Sequence, residues 1–185
     1  MFIAGGCSRN VDQISRLDGT QFTVVANAGP TLHDCVAGSN DYYAIITSSS
    51  NNILFRPDGN VTLTQNTGYV HHQGSISSIN NNVVIFIGNT AESYRTEEYS
   101  VESNQWQTVS NTNIWQATVY KTSSVAIKNY IYNLGGNNAE NSIFRMNNNY
   151  EWTKLSETLR SSRKEHTAIG NGKYHFERNI RTTFN

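Results

Sequence analysis

The stretch KNYIYNLGG, from Lys128 to Gly136, decides the fold. With Val125 and Ile127 before it, its apolar residues Ile131 and Leu134 make a run too short for a helix, and the run stops at two glycines. The pattern predicts two strands, SVAI and YIYNL, that turn at Lys128-Asn129 and end where only residues without a Cβ fit. Three weaker copies of the stretch occur elsewhere, and the chain is organised around them.

Outward from that stretch, the same hairpins recur. MFIAGG is followed by DQISRLD, a tight Asp18-Gly19 turn and QFTVV; Asp-Gly between alternating runs is a hairpin signal because both residues tolerate positive φ. HDCVAGSNDYYAII reads as two strands joined at Ser39-Asn40-Asp41, and NNILFRPDGNVTLT as two more around Pro57-Asp58-Gly59. A third round has turns at Asn80-Asn81-Asn82 and Glu102-Ser103-Asn104, and a fourth runs from SSVAIKNYIYNLGG through SIFRMN to EWTKL. EHTAIGNGKYHF restarts the pattern at a Gly170-Asn171-Gly172 turn.

The strand that ends in glycine closes near Gly5, Thr47, Gly88 and Gly135, at intervals of roughly 40 to 47 residues, a period found in blade-forming repeats. About 17 residues later an aromatic recurs at Phe22, Trp106 and Trp152, with Val61 in its place in the second round. The longest interval is explained by an insertion, Ile114 to Thr122, expected to be a loop. Glu157 to Lys164 alone could form a helical turn and is expected to connect two units. The repeats are placed at 1–38, 39–80, 81–126 and 127–176, with a tail at 177–185, all in one domain.

A chain of 185 residues can bury roughly 70% of the surface its unfolded form exposes, which suffices for a packed core. Fourteen basic residues balance fourteen acidic ones, which argues against the electrostatic footprint of a nucleic-acid or membrane-surface binder. No stretch approaches the ~20 apolar residues of a membrane span, and the N-terminus lacks the zones of a signal peptide. A soluble protein is expected, in the cytoplasm or outside the cell. Met1 begins directly inside an apolar strand, so a piece of a longer protein is expected. Cys7 and Cys35 form no CxxC pair and read as ordinary buried thiols or, in an extracellular protein, as a disulfide. The single sequon, Asn60-Val61-Thr62, does not decide between compartments.

The run Arg163-Lys164-Glu165-His166-Thr167-Ala168-Ile169, followed by Gly172-Lys173-Tyr174, resembles the kelch repeat. Tyr130, Tyr132, Gly135, Gly136 and Trp152 match that pattern in the fourth repeat, Tyr99 and Trp106 in the third, and Gly5 and Gly6 in the first. His33 and His72 stand where the histidine before the first strand belongs. Departures are Asn89 after Gly88, and Thr47-Ser48 where the glycines should be. The resemblance implies an all-β fold: a partial β-propeller of about four kelch-like, four-stranded antiparallel blades, expected as an open arc with apolar faces exposed on its terminal blades. It also implies a role in protein–protein interaction.

No catalytic constellation emerges. His71 and His72 are adjacent on an extended segment and point to opposite faces, so they cannot share a metal. Neither glycine pair precedes a helix whose N-terminus could hold a phosphate. No metal or cofactor is therefore expected, and the leading expectation is a non-catalytic module that binds a protein partner through its loops. Candidate partner-binding residues are Tyr94 and Arg95, after the third glycine strand, and Trp115 and Tyr120 in the insertion, with gap filling between blades an equal expectation for Trp115. The alternative is a piece of a propeller enzyme, such as a copper radical oxidase or a glycan-processing protein.

Overall fold

The structure, a computed structural model, describes residues 2–4, 13–27, 36–47, 52–90, 94–110, 114–115 and 118–168. Gly5, Gly6, Cys7, His33, Cys35, Ser48 and everything from Ile169 onward lie outside the described residues.

Four antiparallel sheets follow one another along the chain. The first holds β1 (Phe2–Ala4), β2 (Gln13–Asp18) and β3 (Gln21–Asn27). The second holds β4 (Val36–Ser39), β5 (Ala44–Thr47), β6 (Asn52–Phe55) and β7 (Val61–Leu63). In the third are β8 (Ser75–Ile79), β9 (Asn82–Phe86), β10 (Thr96–Ser100) and β11 (Gln105–Ser110). The fourth consists of β12 (Ser123–Ile127), β13 (Tyr130–Leu134), β14 (Ser142–Met146) and β15 (Trp152–Thr158). Each strand pairs only with its sequence neighbours, and there is no helix among the described residues.

The leading strands lie side by side, β4 against β8 and β8 against β12, and the sheets fan outward from them. This is an incomplete β-propeller of four blades. Among the described residues no strand of blade 4 pairs with blade 1, so the sheets do not close into a ring.

Burial explains the sequence pattern strand by strand. The middle strands β6, Asn-Ile-Leu-Phe, and β9, Asn-Val-Val-Ile-Phe, are covered on both faces and therefore carry continuous apolar runs. In β9, Val83 and Ile85 pack toward blade 2 with Ile45, Leu54 and Ile76. Val84 and Phe86 face the other way and pack with Ile131, Phe144, Met146 and Trp152 of blade 4. The outer strand β15 is buried mainly at Trp152.

The expected aromatic register is borne out. Leu17↔Phe22, Phe55↔Val61, Tyr99↔Trp106 and Met146↔Trp152 are equivalent pairs in blades 1 to 4. Trp152 reaches across the seam to Phe86, with ring centroids 4.8 Å apart, and its Nε1 donates to Thr96 Oγ1 at 2.9 Å.

The terminal faces differ from expectation in one respect. Blade 1 exposes Phe22 and Val24. On blade 4, however, Leu134, Ile143 and Leu159 are buried, with Tyr132, Leu155 and Ala168 packed against them. Leu159 and Ala168, from the segment after β15, are part of that cluster.

Candidate functional site

The two ends of the blades are built differently. At one end sit short turns such as Asn80-Asn81 and Lys128-Asn129, whose Asn80, Asn81 and Lys128 take positive φ. At the other end gather the longer connections, around residues 64–74, 87–90, 118–122, 135–141 and 159–168.

Backbone hydrogen bonds knit those long connections into a staircase. Lys121 N donates to Gln73 O at 2.9 Å, and one blade further on Glu165 N donates to Lys121 O at 3.0 Å. Gln73, Lys121 and Glu165 are thus equivalent, and all three hold left-handed backbone, at φ 55°, 56° and 53°. Long polar side chains at such positions are uncommon, because the conformation is easy only for glycine and asparagine. The Lys121 ammonium pairs with the Glu165 carboxylate, and that hydrogen bond and charge hold the Glu165 carboxyl below its usual range.

The staircase also fixes the register of the glycine pairs. Asn89 N donates to His72 O as Asn137 N donates to Tyr120 O. Gly88 therefore corresponds to Gly136, and Ile87, at φ 54°, to Gly135, one residue away from the spacing inferred from sequence. A Cβ on Gly136 would lie 2.7 Å from Tyr120 O, so the glycine is required by the loop backbone that crosses it. By the same register His72 corresponds to Tyr120 and Lys164, and His166 to Gly74 and Thr122. The expected recurrence of His72 and His166 is therefore corrected: they stand two residues apart in the repeat. Both ring nitrogens of His166 are buried without a partner, and burial, then the nearby Arg163, push its pKa down.

Loop 64–74 is clamped from below. Glu97 on β10 accepts Gly68 N at 2.7 Å, Tyr69 N at 3.1 Å and His71 Nε2 at 2.8 Å, while His71 Nδ1 faces Ile87 O at 2.8 Å. Both side chains are 1% exposed. Both ring nitrogens of His71 thus face oxygen partners, and the loop backbone, the ring and the Glu97 carboxyl form one buried hydrogen-bonded clamp.

On this clamp rests Tyr69, and over its ring sits the Arg95 guanidinium, 4.1 Å from the centroid, which also donates to the Tyr69 hydroxyl. Tyr94 flanks the same guanidinium at 5.7 Å. The structure thus brings Tyr94 and Arg95 together with Tyr69. Tyr120 lies further round the staircase, bridged to Asn137. Trp115 is 5% exposed and packs against Phe144 and Trp152 at 5.2 and 5.0 Å, filling the seam between blades 3 and 4.

Sequence reading missed Tyr69, Gln73 and the partnership of His71 with Glu97. One signal was available: Glu97-Glu98 stands in the middle of a strand, where an unpaired charge is costly. Among the described residues no group of three or more His, Cys, Asp or Glu could hold a metal ion, and no helix is long and apolar enough to cross a membrane.

Blades joined in sequence order around a common inner edge, with long connections at one end, define the chain as β-propeller material. The solved structure of YjhT matches it with a TM-score of 0.68 over 85% of this chain, at 9% sequence identity, a likeness of fold alone. The chain spans 63% of the YjhT chain. No family model matches the sequence, and no curated protein does.

Proposed function

We propose that the chain is a kelch-like interaction module that binds a protein partner, without catalysis, through the long connections at one end of its blades. The carrying observation is the Tyr69–Arg95–Tyr94 group. Arg95 stands among the described residues with aromatic rings rather than a carboxylate around its guanidinium, and Tyr69 beneath it lies on a loop pinned by the buried contacts of Glu97 with Gly68, Tyr69 and His71. An arginine stiffened between tyrosines costs little conformational entropy on binding, and Tyr and Arg dominate the energetics of protein interfaces. Tyr120 extends the surface along the staircase, and Trp115 supports it from beneath. The kelch reading draws support from Gly135-Gly136, Trp106 and Trp152, which perform the structural tasks that the repeat assigns them.

A photo-crosslinking residue placed at position 94, and in a second variant at position 129 on the short-turn end, tests the proposal in the host cell. The expected result is a discrete protein adduct from position 94 only, lost when Arg95→Glu is added. Equal labelling from both ends, or adducts indifferent to Arg95→Glu, would overturn it.

A further inference from the structure

Among the described residues no carboxylate pairs with the guanidinium of Arg95. Arg95 directly precedes β10, and the two carboxylates that follow it on that strand are already committed. Glu97 is held by Gly68 N, Tyr69 N and His71 Nε2, and Glu98 accepts from Asn82 Nδ2 and the Tyr150 hydroxyl. A cation is thus kept beside two carboxylates that turn to other donors.

A guanidinium offers five N–H donors in one plane and a ring-stacking face on either side of it. The Tyr69 ring covers one face at 4.1 Å, Tyr94 lies at 5.7 Å, and Nη1 donates to the Tyr69 hydroxyl. Nε is closed off from solvent without an acceptor, whereas Nη2 is open to it. Tyr69 is itself fixed at two points, its backbone by Glu97 and its hydroxyl by Arg95, so the guanidinium plane is set before any partner arrives. The next residue, Val70, is 57% exposed, and its carbonyl accepts from Thr90 Oγ1 at 3.0 Å. An apolar side chain is therefore presented to solvent from the same pinned loop.

We propose that Arg95 anchors an acidic side chain, Asp or Glu, of the protein partner, and that Val70 receives an apolar residue next to it in the partner's chain. The assignment rests on the long connections being the binding end, and it names the chemistry they select. With one face stacked, the guanidinium takes its ligand in its own plane, where a planar two-oxygen group meets the fork. A single guanidinium balances one negative charge, which suits a carboxylate and leaves a phosphate group, at about −1.5 to −2, short of compensation. A charged contact of this kind, bordered by an apolar one that excludes water, is the usual make-up of an interface anchor.

Selection of a displayed library of random linear peptides on the intact 185-residue chain tests this. The expected result is enrichment of peptides with Asp or Glu beside an apolar residue. Their binding is weakened about thirtyfold or more by Arg95→Leu, and by a smaller factor by Arg95→Lys, which keeps the charge and loses the fork. Arg95→Glu should exchange the selected acidic residue for Lys or Arg, and Val70→Ser should remove the apolar preference while the acidic one stays. Unchanged amide exchange in β10 certifies that each variant is folded. Peptides that lose binding with Tyr94→Ala yet carry no carboxylate would overturn the assignment and leave the interaction module standing. Peptides indifferent to substitution of both Tyr94 and Arg95, or no enrichment at all, would overturn both. Tighter binding in Glu92→Gln, a position outside the described residues, would show that the chain's own carboxylate holds the place and would also overturn the assignment.

Discussion

Tyr150 shows how far a residue's chemistry depends on contacts that sequence does not announce. It lies in an Asn-rich turn of blade 4, yet its hydroxyl donates to Glu98 of blade 3, which also accepts from Asn82 Nδ2 at 2.8 Å. Burial first, and the Glu98 carboxylate second, raise its pKa from 10.0 to about 12. The folded-state value is the raised one, so the unfolded chain ionises first as pH increases. The contribution is fully present below pH about 10 and is lost as pH climbs toward about 12. Denaturant titrations from pH 8 upward should show a steeper alkaline loss of stability in the native chain than in Tyr150→Phe, and equal slopes would count against the contact. Asn133, buried with neither side-chain polar atom partnered, occupies the place of Ile85 in blade 3 and is the reverse case: YIYNL reads as an ordinary strand with one polar residue.

At the level of elements, strands and hairpins were legible because their signals are local. Period-two alternation and Asn, Asp and Gly at the turns located all fifteen described strands, and the aromatic spacing placed Phe22, Val61, Trp106 and Trp152 in register. The glycine register slipped by one residue because Ile87 holds the left-handed position that Gly135 holds in the next blade, and the surrounding core keeps it there at 1% exposure. The same aromatic position has different consequences in different blades. Trp152 is 5% exposed and hydrogen-bonded across a seam, whereas Phe22 is 53% exposed. Trp152→Ala is expected to cost about 3–5 kcal/mol in chemical denaturation and Phe22→Ala less than about 1 kcal/mol. Similar losses for the two would mean that the outer aromatic acts within its own sheet rather than across a seam.

For the whole molecule, stability is expected to rise along the chain from blade 1. Among the described residues that blade has three strands, and its outer strand, β3, is exposed along most of its length. Blades 3 and 4 share the largest apolar cluster, with Trp115 and Trp152 at its centre. In hydrogen exchange, amides of β2 and β3 should therefore exchange faster than those of β9, β10, β13 and β14, since protection follows local buried contact. Uniform protection across the four blades would show that they open as one unit.

The sequence by itself determined the strands and hairpins, which follow from residue types a few positions apart, and the repeat, which follows from their recurrence at intervals of roughly 40 to 47 residues, while the propeller class was the expectation carried by the resemblance to the kelch pattern. Only the tertiary structure decided which loops meet. It brought His71 to Glu97 across 26 positions, set Tyr69 under Arg95 across another 26, and joined Gln73, Lys121 and Glu165 into one staircase. Those partners lie on neighbouring turns of the chain around the propeller axis, and their pairing depends on how the blades stack, which no local pattern encodes.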